Sequence, residues 1–558
     1  MKRGKLALLG ILSVLALASC DFAFVINPSS SSSSSSSSQT SDTSKDGSSA
    51  QEQSSDTSKG TSSQDQSSSE SSPVTKTKLA YTQKAMQEHG LYQLSYAPTL
   101  GQANLLVVPV WFTDSTSFIA SANREQVRKD IQTAYFGSTD ETGWHSVKTF
   151  YEAESLGKLS LSGTVTDWYE VGKSYTSFGS EDKGGQATEA LVPTVADWYF
   201  KNNPTAKRTD FDKDGDGYLD AVMMIYAAPD YSALRNDNYS NLWAYCYWYQ
   251  DQAQKNVAKP GVDVYFWASY DFMYDSGTAL IRTGKSRYAT GDCTHCTVDA
   301  HTFIHEMGHV FGLEDYYDYG PNSYSHAGAF SMQDHNIGGH DPYSTMVYGW
   351  TDPYIPTQSC SITLKPFQSS HDVILLTPSW NSLNSVFDEY LLLELYTPTG
   401  LNKLDATYSY ANEDRGPTST GIRLWHIDSR LAYCNSLDRE GYPVLSINQL
   451  TTDPRKGTYG TLNAFSNTCG DESYGGLNDS YNLLKFIRNN RSAALHSKSA
   501  QRNSDLFGNG TTFSLANFSS QFANKTKLNG GKELGWSFSV SIQGSGESAT
   551  ATIDLVKA

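Results

Sequence analysis

Apolar and polar positions change rhythm several times along this chain. After Lys2, Arg3 and Lys5, the run Leu6 to Ala18 is mostly apolar. From about Asn27 to Ser72 large apolar residues vanish, and Ser29 to Ser38 is an unbroken serine run. Such a tract cannot bury enough surface to offset chain entropy, so disorder is expected there. Patterned sequence resumes near Thr77. TKLAYTQKAMQEHGLYQL predicts a short helix, and ANLLVVPVWFTD a buried strand ending in an acid. SVKTFYEAESLGKLSLSGTVTDWYEV predicts a helix end followed by an alternating strand. ATEALVPTVADWYFKNN predicts another helix, and LDAVMMIYAAP a second apolar strand. Asp299 to Leu313 predicts a helix capped by Asp299 and ended by Gly312, with Phe303, Ile304, Met307 and Phe311 on its apolar face. Beyond about Asp352 the period shortens. SCSITLKPF, DVILLTP, EYLLLELY, GIRLWHID, WSFSVSIQG and ATATIDLVK read as short strands between turns, the pattern of a β-sandwich-like region. No internal repeat is visible.

These changes divide the chain. Residues 1–20 form a leader, 21–75 a Ser-rich tether, 76–100 a possible short pro-segment, 101–355 an α+β domain, and 356–558 an all-β region. A length of 558 residues admits about two to four domains. Leu17-Ala18-Ser19-Cys20 resembles a bacterial lipobox, after which the leader is cut and Cys20 is lipidated. The plain alternative is an ordinary secretory leader with an incidental cysteine. Several acyl chains on Cys20 would anchor the protein to the cell membrane on its outer side, with the tether holding the body away from it. Net charge is −17, and no Lys/Arg block follows the first five residues. That balance argues against non-specific nucleic-acid binding, which needs basic charge near phosphates. Cys246, Cys293, Cys296, Cys360, Cys434 and Cys469 remain, an even set that permits disulfides outside the cytoplasm. Free thiols are the other reading, and Cys293-Thr-His-Cys296 adds a metal or redox one.

The strongest chemistry is His305-Glu306-x-x-His309. Residues four apart share a helix face, so both imidazoles can reach one ion. Glu306 sits beside that ion without ligating it, placed to act as general base for zinc-activated water. The bland reading is a surface helix with two histidines. His301 could form a rival pair with His305, but Thr302 then stands where a base is needed, so His301 is read as packing or supporting the site. A catalytic zinc takes three protein ligands. Gly312 lets the chain turn sharply and return Asp315 to the ion. Asp318 and Glu394 are alternative third ligands.

HEMGHVFGLED matches the H-E-x-x-H-x-x-G-x-x-H/D pattern of metzincin peptidases. The aspartate form resembles snapalysins and the immune inhibitor A (M6-type) family, and GLEDYYD is close to that family's continuation. The resemblance extends to Met332 as the methionine of a tight turn under the metal. It also takes in SVKTFYEAESLGKLSLSG ahead of the helix, and EYLLLELY with GIRLWHID after it. It implies a metzincin-like α+β domain, a zinc cofactor, protein or peptide substrates and synthesis as a zymogen. The Cys-Thr-His-Cys stretch departs from the general pattern. His340 and Tyr343 are candidate oxyanion donors.

A second constellation is TDFDKDGDGYLDAV. Asp212, Asp214, Asp216 and Asp220, with the Tyr218 carbonyl, fall at positions 1, 3, 5, 9 and 7 of a calcium loop. Asp210 is a possible outer ligand. Position 12 is Met223, and the loop runs into a strand, so it is no EF-hand. A solvated acidic turn is the alternative. The aromatic stretches NLWAYCYWYQ and YFWASYDFMY suit a carbohydrate platform or, more simply, core. The reading is a lipid-anchored, extracytoplasmic zinc endopeptidase of open oligomeric state. Its rival is a surface adhesin or glycan-binding lipoprotein on a peptidase-like scaffold, against which the intact Glu306 argues.

Overall fold

The apolar run GQANLLVVPVW becomes the strand Gly101–Trp111, and its alternation decides what lies on either side. Ala103, Leu105 and Val107 join one core with Ile131, Phe150, Phe303 and Met307. Leu106, Val108 and Val110 join another with Leu191, Val192, Val195 and Tyr199. The strand is thus covered on both faces, as continuous apolar strands are. The structure is a computed structural model and describes residues 74–182, 185–229, 242–274, 298–319, 324–408, 414–468, 476–478, 480–492, 495–496 and 500–558. The leader, Cys20, the serine run, Cys293, Cys296 and Cys469 lie outside the described residues.

Gly101–Trp111 pairs in parallel with Leu159–Val165 and with Val222–Tyr226. Val222–Tyr226 pairs in parallel with Val264–Ser269, and Tyr245–Trp248 closes that edge antiparallel. Helices Arg124–Phe136, Val147–Glu154 and Gln186–Asn202 lie between strands in sequence. Sheet and helices are therefore mixed in this region. The sheet is mainly parallel, because helical crossovers join its strands. The aromatic stretches fall on its edge: Trp248 and Phe266 sit in one core and Trp267 in the other, so these rings are packing.

Downstream come antiparallel sheets. One four-stranded sheet orders Leu484–Ile487, Gly421–Asp428, Glu389–Tyr396 and Val373–Leu376. Another orders Thr512–Ser514, Trp536–Gln543, Thr550–Lys557 and Cys360–Leu364. Leu391, Leu393 and Leu395 pack with Phe538, Val540 and Ile553 of the second sheet. Tyr390, Leu392 and Trp425 point the other way, into the core that holds the helix His301–Val310. Every residue of Glu389–Tyr396 is consequently buried. This sheet wears the mixed region on one face and the second sheet on the other.

The N-terminal segment is tied into the body. Ser95 N–H donates to Asp263 at 3.1 Å, Ala97 N–H to the Val310 carbonyl at 3.0 Å, and Leu91 N–H to the Thr461 carbonyl at 2.8 Å. Cys246, Cys360 and Cys434 are free thiols, so the disulfide expectation does not hold for these three. Among the described residues no helix is long and apolar enough to cross a membrane.

Candidate metal centre

The helix carrying the two histidines runs His301–Val310, shorter at both ends than the pattern suggests. Asp299 caps one residue early: its Oδ1 accepts from the His301 backbone N–H at 2.9 Å. All ten residues are buried, where the sequence shows only one apolar stripe. Tyr151 and Tyr348 hold the helix from two sides, donating to the Ile304 and Gly308 carbonyls at 2.6 and 3.0 Å. The far end closes as a Schellman turn. Leu313 N–H reaches the Gly308 carbonyl at 3.0 Å, and Gly312 N–H the His309 carbonyl at 2.8 Å. Gly312 has φ +98°, and a Cβ there would also meet the Gln83 amide at 2.2 Å. The positive φ is what favours glycine, since the Gln83 side chain could shift.

That turn does two jobs. It lays the Leu313 carbonyl 2.9 Å from His309 Nδ1, and it brings Asp315 back under the helix. His305 Nδ1 lies 2.7 Å from the Met332 carbonyl. A carbonyl only accepts, so both Nδ1 atoms carry protons, and both Nε2 lone pairs turn inward. They stand 3.2 Å apart, with Asp315 Oδ1 3.0 Å from His305 Nε2 and 3.3 Å from His309 Nε2. Three ligand atoms about 2.0–2.1 Å from one zinc at tetrahedral angles stand roughly 3.3–3.4 Å apart, so the triangle fits the ion. Three buried acceptors this close repel one another unless a cation sits among them. Burial pushes His309 down, but the Asp315 carboxylate outweighs it and holds the imidazole up at about 9. Burial alone would raise Asp315; the two histidines hold it far below the usual carboxylate range. A metal-free site fills the same demand with a proton.

Residues 105–332 match the family model for the immune inhibitor A peptidase M6 catalytic domain. This segment is an M6-type peptidase domain. No curated protein matches the chain. The match makes this segment a metallopeptidase domain acting on proteins or peptides, in a family whose metal is usually zinc. The match ends on Met332, the residue whose carbonyl orients His305.

The other sequence candidates are placed as follows. Glu306 is buried on the metal helix, beside His305. After burial itself, its carboxylate is what pushes Tyr135 and Cys246 above their ordinary values. Asp318 and Glu394 are not brought into the ligand group. Glu394 Oε1 instead pairs with Arg423 Nε at 2.8 Å and accepts from Trp425 at 3.0 Å. Arg423 Nη1 donates to the Phe330 carbonyl at 3.3 Å, so this pair supports the loop leading into Met332. His340 and Tyr343 are buried; His340 lies 3.3 Å from Gln333 and among the rings of Phe150, Tyr151 and Tyr348. Gly308 leaves room for the buried Gln333 side chain, whose amide fills the space a Cβ would take.

Two partners of the M6-type site went unmarked in the sequence. Tyr319 donates its hydroxyl to Asp315 Oδ2 at 2.5 Å, leaving Oδ1 for the histidines. The only signal is a tyrosine one helical turn past the acid. Tyr319→Phe is expected to weaken metal binding about 10–100-fold, the usual effect of losing a group that orients a ligand. Competition against a chelating dye measures it; unchanged affinity would remove Tyr319 from the site. The second partner is Asp405. His301 lies between Asp299 Oδ1 at 2.9 Å and the Asp405 carboxylate at 3.3 Å, stacked on Trp144 with ring centres 4.1 Å apart.

The acidic loop is a separate cluster. Asp212, Asp214 and Asp216 bring carboxylate oxygens within 4.8 Å of one another. Asp212 Oδ1 is buried with no hydrogen-bond partner. Burial, then Asp214 beside it, pushes Asp216 up to about 6. Gln87 of the N-terminal helix donates to Asp216 Oδ2 at 2.9 Å. Asp220 stands outside the group, because both its oxygens accept backbone N–H groups, from Lys213 at 2.8 Å and Asn104 at 2.6 Å. It fastens the loop to the central strand.

Proposed function

We propose that this protein is a zinc endopeptidase, held outside the cytoplasm by a lipid on Cys20. The inward-facing triangle of His305, His309 and Asp315 carries the reading. These three residues would hold the ion, with Met332 and Leu313 fixing the imidazoles through their carbonyls. When bound, zinc supplies Lewis acidity that lowers the pKa of water and polarises a carbonyl. Glu306 takes the proton of the attacking water and delivers it to the departing amine. Its place beside His305 on a wholly buried helix supports that role. The leader pattern ending at Cys20 supports export and anchoring.

The test is digestion of an unfolded protein by the full chain. Activity is expected to vanish with a zinc chelator and to return with added zinc. Hydrolysis that survives complete metal removal would sink the proposal.

We also propose a structural calcium ion on Asp212, Asp214 and Asp216, with the Tyr218 carbonyl. The buried, unpartnered Asp212 Oδ1 supports it. Calcium about 100-fold above Kd should add roughly 2.7 kcal/mol of stability. Thermal unfolding with and without calcium measures this gain. It should disappear in Asp212→Asn; an equal gain in that variant would place the ion elsewhere.

A further inference from the structure

A cavity of about 190 Å³ opens between Ser325–Gly328 and the strand Leu484–Ile487. Lys485, Arg488 and Arg491 line it, with Ser325, Ser492 and Gln521 among its polar groups, and no Asp or Glu among the described residues does. Such a wall is unexpected in a chain of net charge −17. Cations gathered at one cavity repel one another and lose hydration, so they need counter-charge. Arg488 has it, its Nε 2.8 Å from Asp505. Lys485 and Arg491 have no carboxylate within ion-pair distance among the described residues. Burial pushes the Lys485 ammonium down. The neighbouring His326 is pushed down to about 4, by burial first and Lys485 next, and so stays uncharged at neutral pH. Arg491 stands at the rim with its guanidinium over the Phe518 ring at 4.8 Å.

The cavity wall belongs to the loop that joins Asp315 to Met332. Ser325 Oγ lies 3.4 Å from His335 Nδ1, in the short helix that begins at Met332. The His335 ring packs on Tyr317 at 5.8 Å, and Tyr317 on Tyr319, the residue that grips Asp315. Contacts among described residues thus link one wall of the cavity to the metal cluster. Ammonium and guanidinium donors pair strongly with anionic oxygens, and in proteins or peptides, the substrates of this domain, those oxygens are carboxylates.

We infer that the cavity receives a carboxylate of the substrate, the side chain of an aspartate or glutamate. The inference rests on the peptidase reading. Peptide pairs that differ only as Glu against Gln, scanned through positions either side of the cleaved bond, test it. At one position Glu should be favoured about ten-fold in kcat/KM. Lys485→Met and, independently at the exposed rim, Arg491→Gln should bring the ratio towards one, while Lys485→Arg keeps it. A ratio near one at every position, or one that survives both charge removals, overturns the inference. Should no peptide be cleaved, the peptidase reading falls, and calorimetry with the same peptides then judges the cavity alone. Glu-dependent binding that weakens in Arg491→Gln supports it. No binding, or binding of inorganic phosphate without response to the acidic peptide, overturns it.

Discussion

Glu306→Gln is expected to lower kcat about 10²–10⁴-fold while the protein keeps its metal. The glutamine preserves the shape of the side chain and removes its ability to take a proton. The three ligand atoms belong to His305, His309 and Asp315, so the ion should bind as before. KM should change little, the signature of a group needed only in the transition state. Steady-state kinetics beside metal analysis separates the effects. Full activity in the variant would remove Glu306 from the mechanism. Lost activity with lost metal would reassign it to a ligand or a folding role.

The second large effect concerns stability. Asp405→Asn should cost about 3–5 kcal/mol, the range for breaking one partner of a buried charged pair. Asparagine can still accept from Gly338 N–H, which reaches Asp405 Oδ2 at 2.8 Å, so the loss is mainly of charge facing His301. Burial pushes His301 down, but Asp299 and Asp405 more than reverse this and hold it up at about 10. An unfolded histidine titrates near about 6.5. The raised native value therefore contributes stability that is complete below about 6.5 and is lost as pH rises through about 10. Urea unfolding should show a wide gap between native protein and variant at pH 6, narrowing by pH 10. A gap that ignores pH would mean that His301 carries no charge.

What the sequence made legible was local. His305 and His309 are one helical turn apart, Gly312 sits at the turn, and Asp315 follows directly. Spacing and backbone preference suffice to relate such residues. The strands beyond Asp352 were also visible, since alternation is a property of neighbours. What stayed hidden depends on distant segments meeting. Nothing near Asp405 announces His301, and nothing near Arg423 announces Phe330. Glu394 looked like a possible third ligand, a glutamate distant in sequence from the two histidines; its partner is instead Arg423, two positions into a paired strand. Asp220 fitted the ligand spacing, yet backbone N–H groups of Lys213 and Asn104 claim its oxygens. His340 and Tyr343 follow the Met332 turn closely in sequence, and both are buried as the metal-cluster residues are.

The sheet centred on Glu389–Tyr396 has one more consequence, in time rather than space. Asp405 reaches His301 across 104 positions, and Arg423 reaches Phe330 across 93. A growing chain that has just produced its metal helix therefore holds neither the counter-charge for His301 nor the brace for the Met332 loop. Both arrive later in synthesis, on the segments that follow. The unfinished polypeptide lacks the contacts that steady its metal helix and the loop to Met332 until the segment through Arg423 has been made.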